Sequence, residues 1–200
     1  MTTTPEIKFK MIFAYSAHDN VFGNADKLPW SQHIKKDMQV FKEFTDNCVL
    51  VMGRKTFESL PCKLRGLPHY VITSEMNRSN ITNKKGENPD FVHIDIESTC
   101  IAAAEYSAHP LNITTDVCII GGASVLKDAA KFVDEAMITK VYFNNTERYY
   151  DAPKYIDIDS IKESLSNNHF IALENTKEYK YTVNDGEIKE LLFTHYTNTL

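Results

Sequence analysis

Residues 49–60 read VLVMGRKTFESL, and residues 117–126 read VCIIGGASVL. In each, a short apolar run ends at glycine and a helix-like pattern follows, the signature of a buried strand turning into a helix. Behind Gly53 come Arg54, Lys55 and Thr56. Free N–H groups, the positive end of a helix dipole, cationic side chains and a hydroxyl therefore converge at that turn, which suits a phosphate. Gly121 and Gly122 let a ligand approach the backbone before the next helix begins. Each turn taken alone is usually just a turn. Together in one small sheet they point to a dinucleotide bridged by pyrophosphate, although the GxGxxG fingerprint of an ordinary Rossmann dehydrogenase is missing.

Outward from these turns, strands and helices alternate. Lys8 to Tyr15 reads as a strand, Ile34 to Thr45 as a helix, and Cys48 to Met52 as a buried strand with a helical turn from Arg54. His69 to Thr73 and Phe91 to Ile94 read as strands, and Cys100 to Tyr106 as a helix. Val117 to Ile120 is a strand, Val125 to Phe132 a helix, and Ala136 to Phe143 a strand. This rhythm predicts an α/β fold with a mostly parallel sheet and flanking helices. Tyr179 to Val183 and Ile188 to Tyr196 flank Asn184-Asp185-Gly186, which predicts a C-terminal antiparallel hairpin. Residues 75–90 and 144–154 read as polar loops, and neither looks like a domain boundary.

The chain has 200 residues, 42% hydrophobic and 24% charged, which predicts one globular domain over 1–200 with residues 1–6 as a loose extension. A net charge of -5 argues against nucleic acid as the partner but leaves small anions open. MTTTPEIKFK has no apolar leader core, and no stretch reaches the ~20 apolar residues of a membrane span, so a cytoplasmic protein without membrane contact is expected. Cys48, Cys62, Cys100 and Cys118 lack ligand spacing, Cys48 and Cys118 read as buried thiols, and no histidine pattern supports a metal.

The acid in LPWSQHIKKDMQVFK, residues 28–42, is an anomaly. At about 100° per residue, Phe44 and Val40 fall to one side of Asp37, and Phe41, Ile34 and Met38 to the other. Asp37 thus lies inside the apolar arc, while Lys35, Lys36, Lys42 and Glu43 take the opposite face. A carboxyl in such a place either makes an internal hydrogen bond that steadies the fold or carries chemistry.

FGNADKLPW, DMQVFKEFT, VMGRKTFESL, YVITS and VCIIGGASVL stand in the order and spacing of the dihydrofolate reductase family, which the chain resembles from about residue 8 to 196. The LPW and KKD wording is nearest to phage-type members. The resemblance implies a three-layer fold with an eight-stranded, mostly parallel sheet. It implies NADPH as cofactor and dihydrofolate as substrate, reduced to tetrahydrofolate by hydride transfer to C6 and protonation at N5; a monomer is expected, with a homodimer left open. Asp37 matches the acid of the pterin pocket, with Trp30 and Thr139 supporting it through water or a hydroxyl. Ala14, Met38, Phe41 and Leu60 match the apolar walls. Arg54, Lys55, Thr56, Thr73, Ser74, Gly121 and Gly122 match the cofactor grip, which continues into Ala123, Ser124 and Val125. Arg54 and Ser74 would contact the 2′-phosphate, the Gly121–Gly122 bond would be cis, and Gly23 matches a mobile loop over the nicotinamide.

The chain departs from the family where KLRGLPHYV aligns Leu67 with the arginine that clamps the substrate's glutamate carboxylate. Leucine cannot replace a bidentate grip. Either Arg65 serves from a shifted loop, or Lys42 and Lys63 hold the tail more loosely, so weakened tail recognition is expected. Ser124 and Leu126 also replace an arginine and an aromatic residue common after the glycine pair. A riboflavin-pathway reductase shares the Gly-Gly turn but would lack LPW followed by an acid in the helix. A viral binding protein without turnover would have no use for Asp37, Trp30 and Thr139 together.

Overall fold

The computed structural model describes residues 6–30, 34–64, 67–75, 80–109, 116–167, 177–183 and 187–197. Its centre is β3 (Cys48–Gly53), whose first five residues are buried; such an unbroken apolar run can only sit in a sheet covered on both faces. Parallel neighbours surround it. β4 (His69–Ile72) and β5 (Phe91–His93) extend one side, and β6 (Asp116–Gly121), β1 (Phe9–Ser16) and β7 (Glu135–Phe143) the other. β10 (Ile188–Thr197) and β9 (Lys177–Thr182) complete the sheet antiparallel, giving the order β5-β4-β3-β6-β1-β7-β10-β9. The expected eight-stranded, mostly parallel sheet with its antiparallel end is therefore present. The Asn184-Asp185-Gly186 turn lies outside the described residues.

Side chains alternate between the faces of each strand, so the strands supply two cores. Met11, Phe13, Val49, Val51, Val117 and Ile119 face α3 (Ile96–Ala108), α4 (Ala123–Ala129) and α5 (Ile158–Asn167). Ile12, Leu50, Met52 and Cys118 face the other way, toward Ile34 and Phe44 of the α1 segment (Lys35–Phe44) and Phe57 of α2 (Arg54–Ser59). The result is three layers, helix on sheet on helix.

The sequence reading missed some elements and shortened others. Pro153–Tyr155, partly inside the stretch expected to be loop, forms β8, which pairs with β2 (Val21–Asn24) as a small separate ribbon. α5 was not anticipated, although Ile158, Ile161 and Leu165 recur at helical spacing and are all buried. Asp157 caps its start, accepting from the Ser160 N–H at 3.3 Å and the Ser160 hydroxyl at 2.7 Å. α3 begins at Ile96 rather than Cys100 because Asp95 accepts from the Ser98 N–H at 2.8 Å and starts the helix early. α4 begins directly after Gly122, not at Val125. Residues 80–90 form turns without helix or strand, as expected.

At the far end of the sheet from the glycine turns, His195 Nε2 and Glu135 Oε1 lie 2.7 Å apart, joining β10 to β7. This hydrogen bond holds the Glu135 carboxyl below its ordinary range. A depressed folded pKa stabilises the protein fully above the unfolded value of about 4.3, and that stability is lost as pH falls through the folded value. Glu135→Gln should therefore lose less stability than the parent between about pH 6 and about pH 3, as read by urea melts at each pH.

Candidate active site

β1 lies against β7 in parallel register, with Ala14 opposite Thr139. α1 packs over this part of the sheet and brings Asp37, in its first turn, to the Thr139 hydroxyl, which hydrogen-bonds the carboxyl. Burial nevertheless dominates, and the Asp37 carboxyl is pushed up to about 6, with the Thr139 bond pulling in the opposite direction. No cation is among the causes acting on it. Asp37 is thus a half-buried acid, desolvated on α1 and hydrogen-bonded by the Thr139 hydroxyl, and that combination is the chemically informative one.

Trp30 is 5% exposed, and its Nε1 is a buried donor without a protein partner among the described residues. Such a donor is costly unless something other than protein accepts from it. Ala14, Phe41 and Leu60 are partly buried against the core cluster that contains Trp30, Ile34 and Phe57. These apolar groups come together as expected. Met38 does not join them: it is 42% exposed, and Leu28, near Trp30 in the chain, is 41% exposed.

One residue that the sequence reading overlooked positions this wall. Arg148, in the segment expected to be a plain polar loop, donates from Nη2 to the Pro29 carbonyl at 2.9 Å and to Glu187 Oε1 at 2.6 Å. Its guanidinium carbon lies 3.8 Å from the Phe143 ring centroid. Nothing in the local sequence signals this, because its partners are 119 and 39 residues away.

Around the aligned clamp position, Leu67 is partly buried against the same core cluster. Lys63 is committed to Asp90 Oδ1 at 2.6 Å, Lys42 is exposed, and Arg65 lies outside the described residues. A cavity of about 760 Å³ opens here, with Cys62, Lys63, Leu64, Leu67 and Tyr106 in its walls. Buried His69 accepts the Leu64 N–H at Nε2, 3.1 Å away, and its burial lowers its pKa, which favours the neutral acceptor.

The glycine turns meet because β3 and β6 are neighbours, with Met52 opposite Gly121. A Cβ on Gly53 would lie 3.6 Å from the Gly122 nitrogen and 3.4 Å from Val125, so the turns touch through bare backbone. Gly121 has φ +130°, and its bond to Gly122 is cis. Thr56 Oγ1 stands 3.4 Å from where a Gly122 Cβ would be, and Phe22, also overlooked in the sequence, stands 3.4 Å from the Gly121 position. Side chains at either glycine would narrow this cradle, so the residues present fit a ligand that lies along the backbone. Ala123 and Ser124 form the first turn of α4 beside it, and Val125 is buried against Gly53. Thr73 is buried, whereas Lys55 and Ser74 are exposed. Arg54 pairs with Glu58 Oε1 at 3.5 Å and with Glu75. Gly23, expected on a loop, lies instead in β2 at a register shift of the β2–β8 ribbon.

The family model described as dihydrofolate reductase matches residues 8–187. Dihydrofolate reductase type A10 from Escherichia coli is 31% identical over 137 residues, covering 68% of this chain and 67% of that one. Dihydrofolate reductase type 8 from the same organism is 28% identical over 163 residues, covering 81% and 88%. Among solved structures, dihydrofolate reductase from Enterococcus faecalis complexed with NADP(H) and RAB-propyl superposes with a TM-score of 0.67 at 22% identity, over 96% of this chain and 97% of that one. That likeness carries the fold, and the family match carries the rest. With a half-buried, desolvated acid on α1 and paired glycine turns on the same sheet, the chain belongs to the dihydrofolate reductase family, the NADPH-dependent oxidoreductases that reduce dihydrofolate to tetrahydrofolate.

Proposed function

We propose that Asp37 is the pterin anchor of this reductase and sets the protonation of the substrate's N5. The observation that carries this reading is the Asp37 carboxyl itself, desolvated to a pKa of about 6 and hydrogen-bonded by the Thr139 hydroxyl. As a carboxylate it can accept hydrogen bonds from the 2-amino group and adjacent ring nitrogen of dihydrofolate, which orients the ring against Ala14, Phe41 and Leu60. A carboxyl that titrates near the working pH also favours a proton at N5. Trp30 Nε1 supplies a further donor to the pocket, and the apolar walls exclude water, which strengthens these electrostatic terms. When bound, NADPH supplies the hydride that goes to C6. Arg54, Lys55, Thr56, Thr73 and Ser74 would hold its adenosine end, and Gly121 to Val125 its pyrophosphate and nicotinamide end. In this reading the chain works as a single cytoplasmic domain and a monomer, nearest in kind to phage-type members of the family. No helix among the described residues is long and apolar enough to cross a membrane.

The purified protein should oxidise NADPH only when dihydrofolate is present, followed by loss of reduced cofactor; no substrate-dependent turnover would remove the reading. Asp37→Asn should lower kcat at neutral pH by about 10²-fold or more and abolish the titration near 6 in the pH–rate profile. Thr139→Val removes the bond that lowers the Asp37 pKa, so the same titration should move to higher pH.

The stability effect has the opposite sign. Because the folded pKa of about 6 exceeds the ordinary aspartate value, the native state binds the extra proton and stability falls as pH rises through that window. Asp37→Asn should therefore be more stable than the parent by about 2 kcal/mol at neutral pH, with the gap closing toward about pH 4 in urea melts.

We further propose that Leu67 leaves the glutamate tail of the substrate weakly held. Leu67→Arg should lower KM for dihydrofolate with kcat unchanged; an unchanged KM would count against the proposal.

A further inference from the structure

We infer that Glu75 sets the cofactor preference of this enzyme by occupying Arg54, so that a 2′-phosphate must displace a carboxylate while a free 2′-hydroxyl need not. The inference rests on the assignment of Arg54 to the 2′-phosphate. Arg54 stands in the first turn of α2, at the C-terminal edge of the sheet, and its Nη1 is bonded to the Glu75 carboxylate. Its Nε lies 3.5 Å from Glu58 Oε1, one turn along the same helix. The guanidinium is thus bracketed by carboxylates on two sides. Glu75 is aimed there by its own backbone, whose N–H donates to the buried Thr73 hydroxyl at 3.2 Å. That bond ties the segment following β4 to the end of the strand.

Among the described residues, the charges around this corner cancel. Arg54 and Lys55 are cationic, Glu58 and Glu75 anionic, and Lys55 is exposed rather than turned into the pair. An incoming phosphate dianion meets repulsion from Glu75 together with attraction from Arg54. A ribose hydroxyl meets a carboxylate that can accept from it, the arrangement by which acidic residues recognise an unphosphorylated ribose. The Arg54 and Glu75 side chains are 26% and 55% exposed. An ion pair so exposed is weak, so phosphate can open it, and the consequence is reduced discrimination rather than a blocked site.

The test is equilibrium binding by calorimetric titration of the full chain, with 2′,5′-ADP, 5′-AMP, NADPH and NADH as ligands. Glu75→Gln should bind 2′,5′-ADP and NADPH about tenfold more tightly than the parent, with 5′-AMP and NADH no tighter. Added salt should shrink the difference. Arg54→Gln should bind 2′,5′-ADP more weakly. Unchanged affinity of Glu75→Gln for 2′,5′-ADP would overturn the inference about Glu75. In that event a loss in Arg54→Gln would leave Arg54 as the phosphate contact, and no loss would remove that assignment as well.

Discussion

Everything at this site depends on β6 lying between β3 and β1 in parallel register. Chain order would place β3 next to β1; the later strand inserted between them reverses the winding and opens a crevice at the C-terminal ends, where open α/β sheets bind ligands. Register then fixes the details. Met52 opposite Gly121 brings the glycine turns into contact, and Ala14 opposite Thr139 sets the floor under Asp37. A slip of one residue on β1 or β6 would turn each of these side chains to the wrong face.

The electrostatics of the two halves differ in kind. Around Asp37, desolvation outweighs the hydrogen bond from the Thr139 hydroxyl and holds the carboxyl at about 6. The pocket is thus built to keep Asp37 responsive to protons rather than to stabilise its charge. In the cofactor half, Arg54 is near solvent and already paired, so its charge is modulated by exchange of partners instead of by burial. On the proposed roles, the first arrangement governs proton occupancy and the second which anion enters.

Much of the fold was legible because the decisive strands are short apolar runs ended by glycine, and because Asp37 violates the pattern of its own helix. Elements that depend on distant partners were not. β2 and β8 are a few residues long and exist only because they pair with each other. α5 did carry a readable signal, the cap at Asp157 and the spacing of Ile158, Ile161 and Leu165, which the polar stretch before it obscured. At the site, Ala14, Phe41 and Leu60, named from the family resemblance, pack against one core cluster and Ala14 stands opposite Thr139, whereas Met38 is exposed. Phe22, Glu75 and Arg148 could not be found locally, since each matters only through contacts made across the fold.

Those contacts also connect the two halves of the site. The segment from Val21 to Trp30 touches both: Phe22 rests against Gly121, and Trp30 borders the acid's pocket. Between these points, Asn24 Oδ1 accepts from the Ala152 N–H at 2.9 Å, Lys154 bonds the Ala25 carbonyl, and Asp26 pairs with Lys84 at 2.7 Å. Arg148 secures the far end at the Pro29 carbonyl and is itself held by Glu187 ahead of β10. The segment is thus tied at several points between Phe22 beside Gly121 and Trp30. Most of these ties are exposed and individually weak, so the segment is held by their number rather than by any one of them. On the roles proposed for the two sites, this run of covalent chain and hydrogen bonds is the physical route between the glycine turns and the Asp37 pocket, with no direct contact between them required.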